Sequence, residues 1–452
     1  MAEVIVRGGI IVTMAPDWHI HIGDVASRDG EIVQVGGDYT PEDRDYEVID
    51  ASGCIVMPGL VQSHIHMCQT LARGEADDLE LLDWLRKVVW PYEAALDADD
   101  VAAAARLACV ELLLGGTTCV LDMATVHHTD AVFEAARDAG LRATIGKAMM
   151  DAPDAPDGPG MPVGLRERTR DSLDESARLC ETWHGAAGGR LQYAYAPRFA
   201  LSCTDELLRE VARQARARGV RIHTHASENR GEIAEVKRKT GLDNIEYLHS
   251  VGLTGPDVCL AHCIWLNERE RALLAETGTH VIHCPSSNSK LASGIAAVPE
   301  LMEAGISVSL GSDGAPCGNN LDGFLEMRLA ALLHKPRCGA EALRAPLVAR
   351  MATLAGAHAL GLADRIGSLE PGKRADIIAV DVNRAHVVPI RNPFSAVVYG
   401  VRSSDVRHVV VDGQLVVRDR ALLTLDAEQV IAEARARATV IFDRVNGNIS
   451  RR

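Results

Sequence analysis

The sequence of 452 residues lacks several features that would place it in a specialised class. Its 11 cysteines are scattered without a CxxC pair, so they are read as reduced thiols rather than as a disulfide framework. It contains no run of about 18 apolar residues, which a membrane-spanning helix requires. It also shows no internal repeat at a solenoid period and no low-complexity tract. The chain therefore reads as an ordinary globular protein.

Positive charge is scarce as well. Lys and Arg total 47 against 62 Asp and Glu, and the net charge is -15. Nucleic acids and anionic membranes call for basic surfaces, so neither is expected as a partner. The opening MAEVIVRGGIIVTM has no basic start before a long apolar core, and no signal peptide is expected. These patterns favour a cytoplasmic protein whose partner is a small molecule.

Both ends of the chain have sequence patterns that are typical of short β-strands. Residues 1–57 alternate short apolar runs with glycine turns, and the same pattern returns over 366–452. Val406 to Val417 is typical of a hairpin that turns at Asp412-Gly413. We expect both termini to build one small β-sandwich, with a terminal helix added at the C-terminal end.

The middle of the chain, residues 58–365, alternates short apolar runs with helical patterns, which is typical of parallel βαβ units. This pattern predicts an α/β fold, a (β/α)₈ TIM barrel. A Pro- and Gly-rich loop over 152–160 is long enough to act as a lid. Eight candidate strands end near His66, Asp122, Met150, Pro197, His225, His262, His283 and Asp313.

Polar side chains gather at these predicted strand ends, the barrel face that carries active sites. His64 and His66 are two residues apart on the first strand, so both imidazoles point the same way and can share one ion. His225 ends the fifth strand and suits a further ligand, whereas His223 lies one pleat deeper and is interpreted as a barrel-interior residue. Asp313 ends the eighth strand between glycines.

Two further polar groups suit proton transfer. Glu228 follows His225 by three residues, which places a carboxylate just outside an ion's ligand shell. His262 ends the sixth strand. Displacing an amine from a heteroaromatic ring requires protons at the ring nitrogen and at the leaving amine, and one carboxylate can relay both. We assign this relay to Glu228, with Asp313 holding the attacking water and His262 polarising it or stabilising the adduct.

These residues give the chain a specific resemblance. PGLVQSHIHM, HTHASEN, LAHCIW, HCPSSN, LGSDGAPC and GSLEPGKRADIIAVD occur in the order found in the amidohydrolase superfamily, in its branch of mononuclear aminohydrolases. The resemblance implies that His64, His66, His225 and Asp313 are metal ligands and that Glu228 and His262 are catalytic. It implies one Zn²⁺ per chain, with Fe²⁺ or Mn²⁺ also able to bind, and a homodimer or homotetramer.

Within that branch the chain resembles deaminases of adenosine-type nucleosides such as 5′-deoxyadenosine, methylthioadenosine and S-adenosylhomocysteine. Glu93, in the segment that begins at Trp90, falls where that group places a carboxylate on the ribose hydroxyls. The chain departs from the group at Arg198, where a histidine is common, and at Lys147, where relatives that hold a carboxylate tail have arginine. His283, at the seventh strand end, completes the expected substrate-binding set.

Three other functions remain open. Guanine deaminases share the patches that contain Gln69, Lys147, Arg198 and Phe199, which suggests guanine or 8-oxoguanine as a substrate. The same metal site could displace amine or chloride from an s-triazine or a pterin. A non-catalytic barrel scaffold is the alternative from another class, and the intact set of metal and catalytic residues argues against it.

The ligand set generates the first prediction. The purified protein should hold about one divalent ion per chain, because the fourth strand, Leu191 to Pro197, carries no lysine that could be carboxylated to bridge a second ion, as in the two-metal members of the family it resembles. Chelation should abolish its activity, and zinc should restore it, as followed by elemental analysis and an ammonia-release assay. Two ions per chain at full activity would contradict a mononuclear centre.

Overall fold

A computed structural model describes residues 3–41, 45–152 and 160–449 of the chain. The loop expected to act as a lid lies outside these residues over 153–159. No helix in the described ranges is long and apolar enough to cross a membrane. The division of the chain at residues 57/58 and 365/366 stays a prediction.

Strands from both ends of the chain form one mixed sheet. Its first five strands are β1 (Glu3–Val12), β2 (Ile20–Arg28), β3 (Glu31–Val35), β4 (Tyr46–Asp50) and β5 (Cys54–Pro58). Ten barrel strands lie between these and β16 (Ile377–Asp381), β17 (Val406–Val411), β18 (Gln414–Arg418) and β19 (Ala421–Leu422). β5 pairs antiparallel with β16, so segments more than 300 residues apart are joined by backbone hydrogen bonds. The order across the sheet is β19-β18-β17-β16-β5-β1-β2-β3, with β4 beside β1.

This terminal sheet curls around a core of its own. Small and β-branched side chains of one face, among them Val6, Val25, Val56, Ile377 and Val410, form one buried cluster. The opposite face packs into the larger core that contains the barrel helices. The predicted small domain from both termini is therefore present, as a single curled sheet, and the hairpin at Asp412-Gly413 is confirmed.

The middle of the chain forms the predicted barrel of parallel strands. The strands are β6 (Leu60–His66), β7 (Thr117–Met123), β8 (Arg142–Gly146) with its extension β9 (Ala148–Met149), β10 (Leu191–Pro197), β11 (Arg221–Ala226), β12 (Val258–His262), β13 (His280–His283), β14 (Val308–Leu310) and β15 (Asp313–Gly314). β14 and β15 are two pieces of the eighth strand. The first piece pairs with β13 and the second with β6, so the strand closes the ring and sets Asp313 beside Ile65.

Helices cover the barrel because their apolar residues recur on one side. Asp205–Arg218 shows the pattern: the Thr204 side chain caps its N-terminus, Leu208 and Val211 are buried, and Gly219 ends it at φ +67°. The other main helices are Ala98–Leu114, Thr129–Ala139, Thr169–Trp183, Arg230–Thr240, Asn244–Ser250, Glu268–Thr277, Pro285–Lys290, Val298–Glu303, Gly323–Leu333, Ala345–Met351, Leu354–Ala359 and the C-terminal Ala427–Ile449. Shorter helices, Leu81–Trp84 and Trp90–Ala95, follow β6 above the strand ends.

A buried ion network joins the barrel to the terminal sheet. Arg142 on β8 donates two hydrogen bonds to Asp376, at 2.8 and 2.9 Å, and a third to Asp412 at 2.8 Å. The Arg142 and Asp376 side chains are 1% and 2% exposed. Breaking a buried ion pair from one side leaves an uncompensated charge, which costs far more than the pair contributes.

Arg142→Ala should therefore destabilise the protein by about 3–5 kcal/mol, since it leaves the buried Asp376 carboxylate without its guanidinium partner. Urea denaturation followed by circular dichroism measures the change. Arg137→Ala is the matched control, because the pair of Arg137 with Asp138 is about half exposed and should contribute under about 1 kcal/mol. Equal effects of the two substitutions would contradict the assigned role of the buried network.

Candidate active site

Four side chains converge above the carboxyl ends of the barrel strands. One ligand atom from each of His64, His66, His225 and Asp313 lies within 4.8 Å of the others. Asp313 Oδ1 is 3.3 Å from Nε2 of both His64 and His66, and the Nε2 atoms of His66 and His225 are 3.2 Å apart. Donors about 2.0–2.2 Å from a tetrahedral zinc are separated by about 3.3 Å. The donor set therefore fits one zinc ion.

The imidazoles are held in the neutral form that binds metal. Burial lowers the pKa of His66 to about 3, and burial also lowers the pKa of His225 well below its usual value. Near pH 7 each ring then carries one proton, and hydrogen bonds decide which nitrogen holds it. His66 Nδ1 donates to the Met123 carbonyl at 2.7 Å, and His225 Nδ1 donates to the Arg198 carbonyl at 2.6 Å. Their Nε2 lone pairs are thus free for the ion.

Asp313 is set by local backbone geometry and by one side chain. Its φ of +64° lies in the left-handed region, which is unfavourable for a residue with a Cβ atom. Ser287 donates a hydrogen bond of 2.6 Å to Asp313 Oδ2 and leaves Oδ1 facing the two histidines. The next residue, Gly314, is a glycine because a Cβ atom at that position would lie 2.0 Å from the Gln69 amide oxygen. Glycine beside Asp313 therefore permits close packing.

Glu228 is a buried carboxyl beside the metal ligands. Its Oε2 lies 3.5 Å from His262 Nε2, and Ser293 donates a hydrogen bond of 3.5 Å to Oε1. Burial, followed by the negative charges of Asp313 and Glu232, raises the pKa of Glu228 well above its usual value. The Glu232 carboxylate accepts the backbone N–H of Glu228 at 2.9 Å and so fixes the loop. The Glu228 carboxyl is therefore placed to exchange a proton beside the metal ligands.

His262 reaches the same cluster through a strained backbone. Its φ is +74° and that of Cys263 is +45°, a region that costs a non-glycine residue about 1–3 kcal/mol. Its ring lies 5.4 Å from that of His64 between centroids. Asn288 Oδ1 accepts a hydrogen bond of 2.8 Å from His262 Nδ1, so Nε2 faces Glu228 and Asp313.

A pocket opens beside these groups and carries an apolar wall. The wall consists of Leu81, Trp84, Leu85, Phe199 and Leu291, and the polar side is formed by His66, Arg198, His225, Glu228, Glu232, His262 and Asp313. Trp84 Nε1 is buried without a hydrogen-bond partner in the described structure, so it offers a donor. Sequence reasoning singled out Trp90 instead, which is wholly buried and does not line the pocket. Trp84 lies in the run ELLDWL, which matches none of the motifs that carried the family resemblance.

Behind the pocket, three of the expected substrate-binding residues form a buried network. Arg198 donates two hydrogen bonds to Glu93, of 2.5 and 3.1 Å. Gln69 donates a third to Glu93 at 2.8 Å. All three side chains are at most 4% exposed. The sequence analysis treated Glu93 and Arg198 as markers of different substrates, whereas they form one ion pair.

Five of the seven expected substrate-binding residues do not line the pocket: Gln69, Glu93, Trp90, Lys147 and His283. Lys147 is buried in an ion pair with Glu167, with nitrogen–oxygen distances of 2.6 and 2.7 Å. His283 packs against His334, with ring centroids 5.5 Å apart, and its strand neighbour Ile282 occupies the barrel-interior cluster instead. Because side chains alternate along a strand, His283 faces away from the barrel axis. The strand-end position alone could not settle which way it points.

Comparisons with known proteins agree with this geometry. Residues 55–416 match the family model described as "Amidohydrolase family". A 5′-deoxyadenosine deaminase of Methanosarcina mazei is 41% identical, covering 99% of this chain and 100% of that protein. A 5-methylthioadenosine/S-adenosylhomocysteine deaminase of Syntrophobacter fumaroxidans is also 41% identical, covering 97% and 98%.

Solved structures show the same fold. An adenosine deaminase from Xanthomonas campestris with bound zinc superimposes with a TM-score of 0.90 at 31% identity, covering 98% of this chain and 99% of that one. The E. coli guanine deaminase superimposes with a TM-score of 0.83 at 28% identity, covering 92% and 100%. The likeness to both extends over nearly the whole chain.

The buried Glu228 carboxyl generates a prediction for turnover. Glu228→Gln keeps the shape of the side chain but cannot exchange a proton, so kcat should fall by at least about 10². Metal content, measured by elemental analysis, should not change, because Glu228 is outside the ligand set. Glu235→Gln, at a surface position paired with Arg238, is the matched control and should keep its activity. Near-normal turnover by Glu228→Gln would exclude Glu228 as the proton relay.

Proposed function

The chain belongs to the amidohydrolase family, and we propose that it is a zinc-dependent hydrolytic deaminase of adenosine-type nucleosides. The reaction releases ammonia and leaves the inosine-type product. The observation that carries this function is the four-residue metal centre beside a buried carboxyl, Glu228, whose pKa is raised by burial and by the nearby charge of Asp313. Relatives named as deaminases of such nucleosides match over nearly the full chain.

Each polar group at the centre has one task in this reaction. Zinc, when bound by the four ligands, supplies a water of lowered pKa. Glu228 gives its proton to the ring nitrogen beside the aminated carbon, takes a proton from the attacking water, and passes it to the departing amine as the carbon–nitrogen bond breaks. Asp313 accepts a hydrogen bond from the attacking water. His262 polarises that water or stabilises the adduct, since its Nε2 faces Glu228 and Asp313.

Glu93 is the group proposed to bind the ribose. A carboxylate offers about four lone-pair positions, and Arg198 and Gln69 already donate three hydrogen bonds to it. One acceptor position then remains, so Glu93 accepts one ribose hydroxyl rather than the two expected from the resemblance. Arg198 holds the carboxylate in place for that contact.

The apolar wall favours a small substituent at the 5′ position of the nucleoside. Leu81, Leu85 and Leu291 offer hydrocarbon surface on which a methyl or methylthio group loses contact with water. Lys147, which the sequence suggested as a partner for a carboxylate tail, is neutralised by Glu167. We infer that 5′-deoxyadenosine and methylthioadenosine fit this pocket better than a nucleoside with a charged tail.

A free base remains the second candidate because Gln69, Arg198 and Phe199 match guanine deaminases. Of these, Phe199 and Arg198 line the pocket, which favours it. However, Gln69 and Arg198 both bind Glu93, and two of the five guanidinium N–H groups are already used. A homodimer or homotetramer and a cytoplasmic location complete the proposal, and light scattering tests the assembly.

The ion pair generates a substrate-specific prediction. Glu93→Ala should lower kcat/KM for adenosine-type nucleosides by about 10- to 160-fold, because one charge-assisted hydrogen bond contributes roughly 1.5–3 kcal/mol. Arg198→Met should lower it as well, since Glu93 then loses its anchor. The double variant should lose less than the sum of the two, because both changes remove one unit.

Ammonia release from adenosine, 5′-deoxyadenosine, methylthioadenosine, guanine and 8-oxoguanine measures the outcome. The free bases serve as the internal control, because they lack the ribose and their slow turnover should hardly respond to Glu93→Ala. Guanine turned over faster than every nucleoside, with Glu93→Ala harmless, would reject the nucleoside in favour of the free base.

A further inference from the structure

The three metal-binding imidazoles differ in the hydrogen-bond partner of the ring nitrogen that faces away from the metal site. His66 and His225 each donate from Nδ1 to a backbone carbonyl. His64 has a side-chain partner instead: its Nδ1 lies 2.8 Å from Nε2 of His223. Among the three, only this outer hydrogen bond can be removed by substituting a side chain.

The proton positions of this pair follow from the ion. His64 Nε2 faces Asp313 at 3.3 Å and has no other partner in the described structure. If Nε2 binds the metal, the proton of His64 must sit on Nδ1, which then donates to His223 Nε2. His223 Nε2 must be unprotonated, so the proton of His223 lies on its own Nδ1.

This arrangement is unfavourable for His223 itself. The residue is 0% exposed, and its Nδ1 is buried without a hydrogen-bond partner in the described part of the chain. A buried donor without an acceptor costs about 1–3 kcal/mol. An apolar side chain at the same position would avoid that cost, so packing alone does not account for a histidine there.

We propose that His223 is a positioning residue for the metal centre. It accepts the Nδ1–H of His64, fixes that ring in one orientation and one tautomer, and keeps Nε2 aimed at the ion. His223 does not touch the ion or the substrate. The inference concerns metal affinity, so it holds whichever heteroaromatic amine the enzyme deaminates.

Three variants separate this role from simple space filling. His223→Gln places Oε1 near the position of the histidine Nε2 and keeps the acceptor. His223→Asn is equally polar, but its shorter side chain leaves the oxygen out of reach of His64. His223→Leu removes the acceptor and fills the space. His280→Leu is the matched control, because His280 is also a buried barrel histidine and packs against His358 rather than a metal ligand.

Zinc affinity of the metal-free proteins, measured by competition with a chromophoric chelator, is the main readout. Loss of an outer partner of a metal-binding histidine typically weakens affinity by about 10–100-fold. We expect that loss for His223→Leu and His223→Asn, near-native affinity for His223→Gln, and no change for His280→Leu. Thermal melting of the metal-free forms should show His223→Leu at least as stable as the native protein.

A purely structural histidine gives the opposite pattern. Metal-free His223→Leu would then melt at a lower temperature while zinc affinity stayed within about threefold of the native value, against the 10–100-fold loss expected here. Equal losses of affinity in His223→Gln and His223→Asn would also overturn the proposal, because the two differ in whether they reach His64. If His223→Leu does not fold, the comparison of Gln with Asn decides alone.

Discussion

A metal centre made of imidazoles depends on preventing the rings from rotating. A histidine side chain has two torsions and two nitrogens, and an ion selects one combination of these in each ligand. In this protein each Nδ1 lies within hydrogen-bond distance of one partner: the Met123 carbonyl for His66, the Arg198 carbonyl for His225 and the His223 imidazole for His64. The metal site lies where these rings converge. Glu228, His262 and the pocket wall can act on a substrate only if that site stays in place beside them.

Arg198 connects that point to the rest of the pocket. Its carbonyl accepts two hydrogen bonds from His225, one from the ring and one from the backbone N–H. Its guanidinium holds Glu93. Arg198 therefore connects the metal ligand His225, through its backbone carbonyl, to Glu93, the group proposed to bind the sugar, through its side chain.

The sequence predicted the barrel and the convergence of the metal ligands because both follow from periodicity. Parallel strands end at one edge, so HxH, His225 and Asp313 had to meet there. The sequence did not predict which side chains pair with each other. Glu93 and Arg198 are 105 residues apart, and nothing in that spacing indicated that they form an ion pair. The sequence also left open which way a side chain points at the end of a strand. His262 has a positive φ and points into the site, whereas the ordinary alternation of side chains turns His283 away from it. The roles given to these residues stay predictions until variants are measured.

The terminal sheet has a consequence for how the chain acquires its structure during synthesis. β1 and β5 emerge first, but β16, the partner of β5, is made more than 300 residues later. Loop closure over such a separation is slow, and an unpaired strand edge invites association with other chains. The small domain can thus be completed only after the whole barrel has left the ribosome. Until then the edge of β5 that faces β16 has no strand partner.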